Sequence, residues 1–127
     1  MSASIKKYAV LKVPPDQVYL ALTHPQTVCL WAGTDAVMSD RPQSEFSLFD
    51  GAVVGKNMEL VPGKSIKQIW YFGEEKPATV LIKLHEHKKG TSLEINLIDV
   101  PQNALENIEQ GIEEVYLASL YDFYEEE

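Results

Sequence analysis

Three sets of side chains in this sequence are of the right type and spacing for chemistry: a histidine pair, a strand carboxylate, and a group of aromatic residues with one amide among them. His85 and His87 lie two apart, so on a strand they share a face, and two imidazoles so placed are half of a metal centre. Such a centre needs a third or fourth ligand, and Glu86 points the other way. The pair belongs to the polar set of its segment, opposite Val80, Ile82 and Leu84. That alternation predicts solvent-facing histidines with no metal role. His24 precedes Pro25 and marks a turn. Glu59 is the carboxylate of most interest. Facing a cavity, it would have its pKa raised by burial and would serve as a general acid or base. Facing water, it would partner a lysine. Its segment alternates Val54, Lys56, Met58, Leu60 against Val53, Gly55, Asn57, Glu59, Val61, so neither face is cleanly apolar. The water-facing arrangement is the expectation.

Gln68 shares a strand face with Ile66, Trp70 and Phe72. Two readings stay open for it: an inward amide that orients a ligand, or a buried amide satisfied by backbone. Trp31, Phe46, Trp70 and Tyr116 are core residues by type and pocket lining by the same token. The Tyr116 hydroxyl would meet a ligand or a neighbouring carbonyl. Cys29 sits in the apolar stretch Val28-Cys29-Leu30-Trp31 and reads as a small buried hydrophobe. It is the only cysteine, so no internal disulfide forms, which fits a reducing compartment. The sequence contains no Gly-rich phosphate loop, Ser-centred elbow, Cys–His arrangement or metal-ligand spacing. No catalytic residue, metal ligand or cofactor is therefore assigned, and binding rather than catalysis is expected.

Positioning these groups falls to a chain of 127 residues, enough for one domain with its own core, taken as residues 1–127. Its apolar share of 45% excludes disorder as the main state. The net charge of −8 argues against nucleic acid and against anionic membrane surfaces, both of which call for Lys and Arg. With no N-terminal apolar segment and no long apolar run, the chain is expected to be cytoplasmic and not membrane-spanning. Glu125, Glu126 and Glu127 are expected to form a solvated tail.

The elements follow from pattern. Residues 3–13 predict a strand, stopped by Pro14 and Pro15. Pro15 and Asp16 then open a helix whose apolar face is Val18, Tyr19, Ala21 and Leu22. His24-Pro25 breaks it, and a second short helix covers about residues 26–31. Strands follow at 36–38, 45–49, 53–61, 65–72 and 78–87, then around Leu93, Ile95 and Leu97, with turns at Asp50-Gly51, Pro62-Gly63-Lys64 and Lys89-Gly90. After Pro101, Asn103 reads as an N-cap with Glu106 completing a capping box. Leu105, Ile108, Ile112, Val115, Ser119 and Phe123 form an apolar stripe, widened by Tyr116 and Leu120. That is a helix of about twenty residues and roughly 30 Å, enough to cross a sheet. Glu106, Glu109, Glu113 and Asp122 form its water-facing side. Gly111 costs about 1 kcal/mol in a helix interior relative to Ala, so it implies close packing on the sheet or a bend that opens a cavity. The fold class is two-layer α+β, a curved antiparallel sheet wrapped around a long C-terminal helix.

The stretch Phe46-Ser47-Leu48-Phe49-Asp50-Gly51, then Gly55, Glu59-Leu60-Val61-Pro62-Gly63-Lys64, Ile66 and Trp70 carries a family likeness, as do Val100-Pro101, Gln110-Gly111 and the Trp31 segment. In order and spacing it resembles the C-terminal-type domain of the activator of the ninety-kilodalton heat-shock chaperone's ATPase. That family sits in the START-like, or birch-pollen-allergen-like (SRPBCC), superfamily. The likeness spans nearly the whole chain. It implies a helix-grip fold of about six to seven strands, with an internal cavity that often takes apolar or amphipathic ligands. Two positions depart from the pattern: Ile112 follows Gly111 where the family commonly has Trp, and Phe72-Gly73-Glu74-Glu75 stands where a second Trp often falls. No segment resembles the separate chaperone-activating N-terminal domain, so stimulation of a chaperone ATPase is not expected from these residues.

Three functions follow in order. The first is a binding module for a small apolar or amphipathic ligand between helix and sheet, lined by Trp31, Met38, Phe46, Leu48, Gln68, Trp70, Ile112 and Tyr116 and closed by residues 32–44. The second is contact with a chaperone or other protein partner through an exposed patch, without a cavity. The third is a cyclase- or aromatase-like enzyme, which requires Glu59 to pair with Gln68 or Tyr116 inside the pocket.

Overall fold

Pro14 has no N–H to offer a strand ladder, and Pro15 stands where a helix needs none. The first strand, β1, therefore spans Ser2–Leu11, and the first helix, α1, spans Pro15–Thr23 with Asp16 in its first turn. The helix ends at His24, whose extended backbone precedes Pro25, and α2 runs Pro25–Ala32. A computed structural model describes residues 2–33, 35–72 and 75–125. Gly73, Glu74, Glu126 and Glu127, and with them part of the departure after Trp70 and of the acidic tail, lie outside the described residues.

Five further strands complete the sheet: β2 (Glu45–Leu48), β3 (Val53–Val61), β4 (Ser65–Phe72), β5 (Glu75–His87) and β6 (Gly90–Pro101). All pairings are antiparallel, in the order β1-β6-β5-β4-β3-β2, so the first strand closes against the last. The short strand expected at 36–38 is reduced to one bridge, Val37 to Ser47, along the β2 edge. Register shifts between Ala3 and Ile5, Asn57 and Glu59, and Trp70 and Phe72 bend the sheet. Gly55 serves the same bend. A Cβ there would meet the Ile69 carbonyl oxygen and come within 2.9 Å of the Phe46 ring, so only glycine fits.

The concave face carries the alternate residues. Ile66, Gln68 and Trp70 of β4, Ala78, Val80, Ile82 and Leu84 of β5, and Leu93, Ile95 and Leu97 of β6 are all buried. Val18, Tyr19, Ala21 and Leu22 of α1 are buried as their spacing predicts. Cys29 is half-buried rather than enclosed, and its thiol donates to the Ala36 carbonyl at 3.4 Å.

The C-terminal helix departs from a regular twenty-residue rod. A 3-10 turn at Gln102–Ala104 leads into α3 (Leu105–Gly111), then a π-helical turn (Ile112–Leu117), then α4 (Ala118–Glu125). Asn103 lies inside the 3-10 turn, and no side chain caps α3, so the expected capping box does not form. The π turn also rephases the stripe. A turn closed by i→i+5 bonds holds more than an α turn, so residues beyond it no longer follow the 3.6 period. Val115, expected to be buried, is 44% exposed, while Tyr116, Leu117 and Leu120 face the core. Glu109 and Glu113, expected to face only water, hold Lys7 of β1 at 3.1 and 2.8 Å. Those contacts raise the Lys7 pKa, chiefly through the hydrogen bond to Glu113. No helix among the described residues is long and apolar enough to cross a membrane.

Candidate functional site

The helix and sheet leave one partly enclosed apolar cleft of about 210 Å³. Its floor comes from the helix: Asn107, Ile108 and Gly111 of α3, then Ile112, Val115 and Tyr116 of the π turn. One wall is Trp70, Tyr71 and Phe72 at the end of β4. The other is the β2–β3 turn and its return strand, through Phe49, Ala52, Val53 and Val54. Phe49, Asp50 and Gly51 all have positive φ, at 54, 58 and 85°, which turns the hairpin tightly and reorients Phe49 out of the strand alternation.

Gly111 is neither packed against the sheet nor placed there by its backbone. Its φ and ψ are −63 and −37°, ordinary for a helix, and a Cβ built on it would meet nothing within 4 Å. Of the two explanations the sequence offered, close packing therefore fails. The glycine fronts open space, and that space is the cleft.

Tyr116 is the hub of an aromatic cluster behind the cleft. Its ring centroid lies 5.4 Å from Trp31, 5.9 Å from Trp70 and 6.1 Å from Phe49, in edge-on or tilted contacts. Its hydroxyl makes no hydrogen bond among the described residues. Burial pushes the phenol well above its usual pKa, so it stays protonated at neutral pH.

A chain of buried hydrogen bonds runs away from the cleft. The Trp70 indole N–H donates to Gln68 Oε1 at 2.9 Å, and Gln68 Nε2 donates to Asn57 Oδ1 at 2.9 Å. Asn57 Nδ2 then donates to the Ser39 carbonyl at 3.0 Å and Ser44 Oγ at 3.3 Å, with a weaker contact to Met38 Sδ. The backbone joins in: Gln43 N–H donates to the Asn57 carbonyl and Asn57 N–H to the Ser44 carbonyl. Gln68 is thus satisfied by side chains, which neither sequence reading anticipated, and it lies behind the cleft.

Of the eight expected lining residues, Trp70, Ile112 and Tyr116 line the cleft. Trp31, Met38, Phe46, Leu48 and Gln68 are buried in the core and do not border it. The cleft mouth is framed by residues 49–54 and 70–72. Of the segment 32–44, expected to close it, Ser39, Gln43 and Ser44 are tied instead to Asn57, and Thr34 lies outside the described residues. Phe49, Tyr71, Phe72, Asn107 and Ile108 were not foreseen. The Asp50-Gly51 turn was the available signal for Phe49, and the face shared with Trp70 was the signal for Phe72.

Glu59 faces water with its carboxylate 3.8 Å from Lys67, while Gln68 bonds Asn57 and Trp70. Among the described residues no carboxylate, lysine, arginine or histidine lines the cleft. His85 bonds Glu94 at 2.9 Å on the outer face, and Asn96 donates to the same carboxylate at 2.7 Å. These bonds hold the Glu94 pKa below its usual value, the Asn96 bond most. His87 accepts from the Lys89 N–H. Among the described residues no third ligand joins the pair.

A model of the family described as "Activator of Hsp90 ATPase homolog 1-like protein" matches residues 12–125. An uncharacterised protein of Schizosaccharomyces pombe is 27% identical over 119 residues, covering 91% of this chain and 35% of its own length. The chain thus spans about a third of that relative. The Aha1 dimer of Colwellia psychrerythraea superposes with a TM-score of 0.85 at 18% identity, over 98% of this chain and 97% of its own. An HSP90 activator of Plasmodium falciparum superposes at 0.80 with 24% identity, over 97% and 95%. Both share this fold.

Proposed function

The chain belongs to the Activator of Hsp90 ATPase homolog 1-like protein family, and from that premise we propose that it is a non-catalytic binding module for a small apolar or amphipathic molecule, held in the cleft beneath its C-terminal helix. One observation carries this reading: Gly111 fronts open space in a helix that would be more stable without it. A residue with no side chain, kept where neither packing nor φ asks for one, preserves volume rather than fold. The π turn beside it widens the same wall, as such turns often do at functional sites. Exposure of Glu59 leaves the enzyme reading without a base.

The test is Gly111→Leu, followed with tetralin as an apolar probe. The side chain would enter the cleft. Thermal stability should rise, since leaving glycine is worth about 1 kcal/mol in a helix, while tetralin-induced shifts at Val53 and the Trp70 indole N–H should vanish. Binding that survives the filled cleft would overturn the assignment. Family membership supports a second reading, contact with a protein partner, and the exposed Val37 and Val54 beside Tyr71 on the outer face give it a place. Val54 borders both surfaces, but Gly111→Leu fills only the cleft, so loss of partner capture in Val37→Asp with normal tetralin binding would favour that reading.

A further inference from the structure

We propose that the cleft selects an uncharged molecule of one or two fused planar rings bearing a hydrogen-bond acceptor, and that the Tyr116 hydroxyl donates to that acceptor. This rests on the binding role proposed above and adds the ligand's class.

Charge is the first discriminator. Among the described residues, no Asp, Glu, Lys, Arg or His lines the cleft. Of the carboxylates on α3 and the π turn, Glu109 and Glu113 are engaged by Lys7, and Glu114, beside Val115, accepts from Gln110 Nε2 at 3.1 Å. A carboxylate or ammonium group entering would lose its water and gain no counter-charge, a penalty on the order of 100-fold in affinity or more. Fatty acids and phosphorylated molecules are disfavoured on that ground.

Size is the second. The 210 Å³ fall between the ~150 Å³ of an engineered apolar cavity that holds benzene and the roughly 300 Å³ at which drug-sized sites begin. One ring fits with room to spare, and two fused rings are near the limit. Shape follows from the walls. Phe49, Trp70 and Tyr116 already meet edge-on or tilted, and a planar ring laid among them extends the same packing.

The acceptor follows from Tyr116. The residue is 3% exposed and stays protonated, and no hydrogen bond is made by its hydroxyl among the described residues; since no fully enclosed side-chain polar atom there lacks a partner, the hydroxyl keeps some accessible surface, and the residue lines the cleft. A phenol so placed lacks an acceptor, and a carbonyl or ether oxygen on the ligand would supply one.

The experiment titrates the full chain with five probes by amide and indole NMR: 1-tetralone, its hydrocarbon tetralin, 1-naphthoate, decanoate and benzyltrimethylammonium. Tetralone should bind about 3–10-fold more tightly than tetralin, the value of one neutral hydrogen bond, with shifts at Gly111, Val53 and the Trp70 indole. In Tyr116→Phe the tetralone-to-tetralin ratio should fall to about one, which a merely structural role for the hydroxyl would not produce. The three charged probes should bind about 100-fold more weakly than tetralone. A charged probe that matches tetralone, or a ratio unchanged in Tyr116→Phe, overturns the class and leaves the binding role standing. If tetralin and tetralone both produce no shifts at those positions, the binding role itself fails, and the class with it.

Discussion

Where α4 meets β1 and α2, the interior is closed over: Leu93, paired with Ala9 beside the Tyr121 contact to Val10, and Leu120 are fully buried, as are Val18 and Val28 of the two short helices. Where α3 and the π turn pass over β3 and β4, the same two layers leave 210 Å³ unfilled. Both ends are rich in apolar residues, so hydrophobicity does not explain the difference. Side-chain shape and the third layer do. At the closed end branched aliphatics from helix, sheet and α1–α2 are buried against one another, and such side chains fill irregular space well. At the open end the walls are large flat rings that pack on one another and cannot fold into a corner, and the helix offers Gly111.

Truncation should separate the ends most clearly. Leu93→Ala at the closed end should cost about 2–5 kcal/mol in urea denaturation, the range for a cavity cut in a packed core. Val53→Ala, half-buried at the cleft wall, should cost under about 1 kcal/mol, because it enlarges a space already present. Equal losses would erase the contrast.

Next in size is the polar chain behind the open end. Gln68→Leu removes the link between Trp70 and Asn57 and leaves a buried indole N–H and a buried amide oxygen without partners. A loss of about 2 kcal/mol is expected, with a displaced Trp70 indole resonance. A neutral outcome would mean that the aromatic cluster alone fixes Trp70, and the open end would then be as self-sufficient as the closed one.

The smallest effect compares two phenols. Tyr124, which donates to the Gln17 carbonyl at 3.2 Å, has its pKa pushed up to about 12 by burial, and Tyr116 is raised by the same cause. Because both folded values lie above the unfolded value near 10, their contribution is intact below pH 10 and is lost as pH rises through the folded values. Denaturation midpoints should fall between pH 10 and 12, and Tyr124→Phe should flatten part of that decline. A fall that is just as steep in Tyr124→Phe would assign the alkaline limb to other groups.

The succession of elements, both proline-led helices and the inward sets of β4, β5 and β6 could be read from the chain because period and proline act locally. Glu59's water-facing position was expected, although its bulged strand gave no clean period. Most of the site was not legible, and the reasons are particular. Phe49 leaves its strand's alternation through three consecutive positive φ angles, of which only the Asp50-Gly51 part is visible as a motif. Val115 was misplaced because a regular 3.6 period was carried through a turn that does not keep it, and the capping box because a 3-10 turn takes up Asn103 before α3 begins. Met38, Phe46 and Leu48 are inward, as their types suggest, but an inward side chain borders a cavity only where its neighbours fall short, which no single position records.

The π turn also gives the helix a place where its length is adjustable. Six residues from Ile112 to Leu117 contain a surplus that a regular helix would not carry. Dropping one of the outward residues there, such as Glu114, would let the coil tighten to ordinary pitch with α4 still presenting Leu120 to the core. Dropping a residue within α4 would swing everything after it by about 100°. Loss of a single codon is thus absorbed at the cleft's side of the helix and resisted at the other, so the cleft can be remodelled without renegotiating the fold.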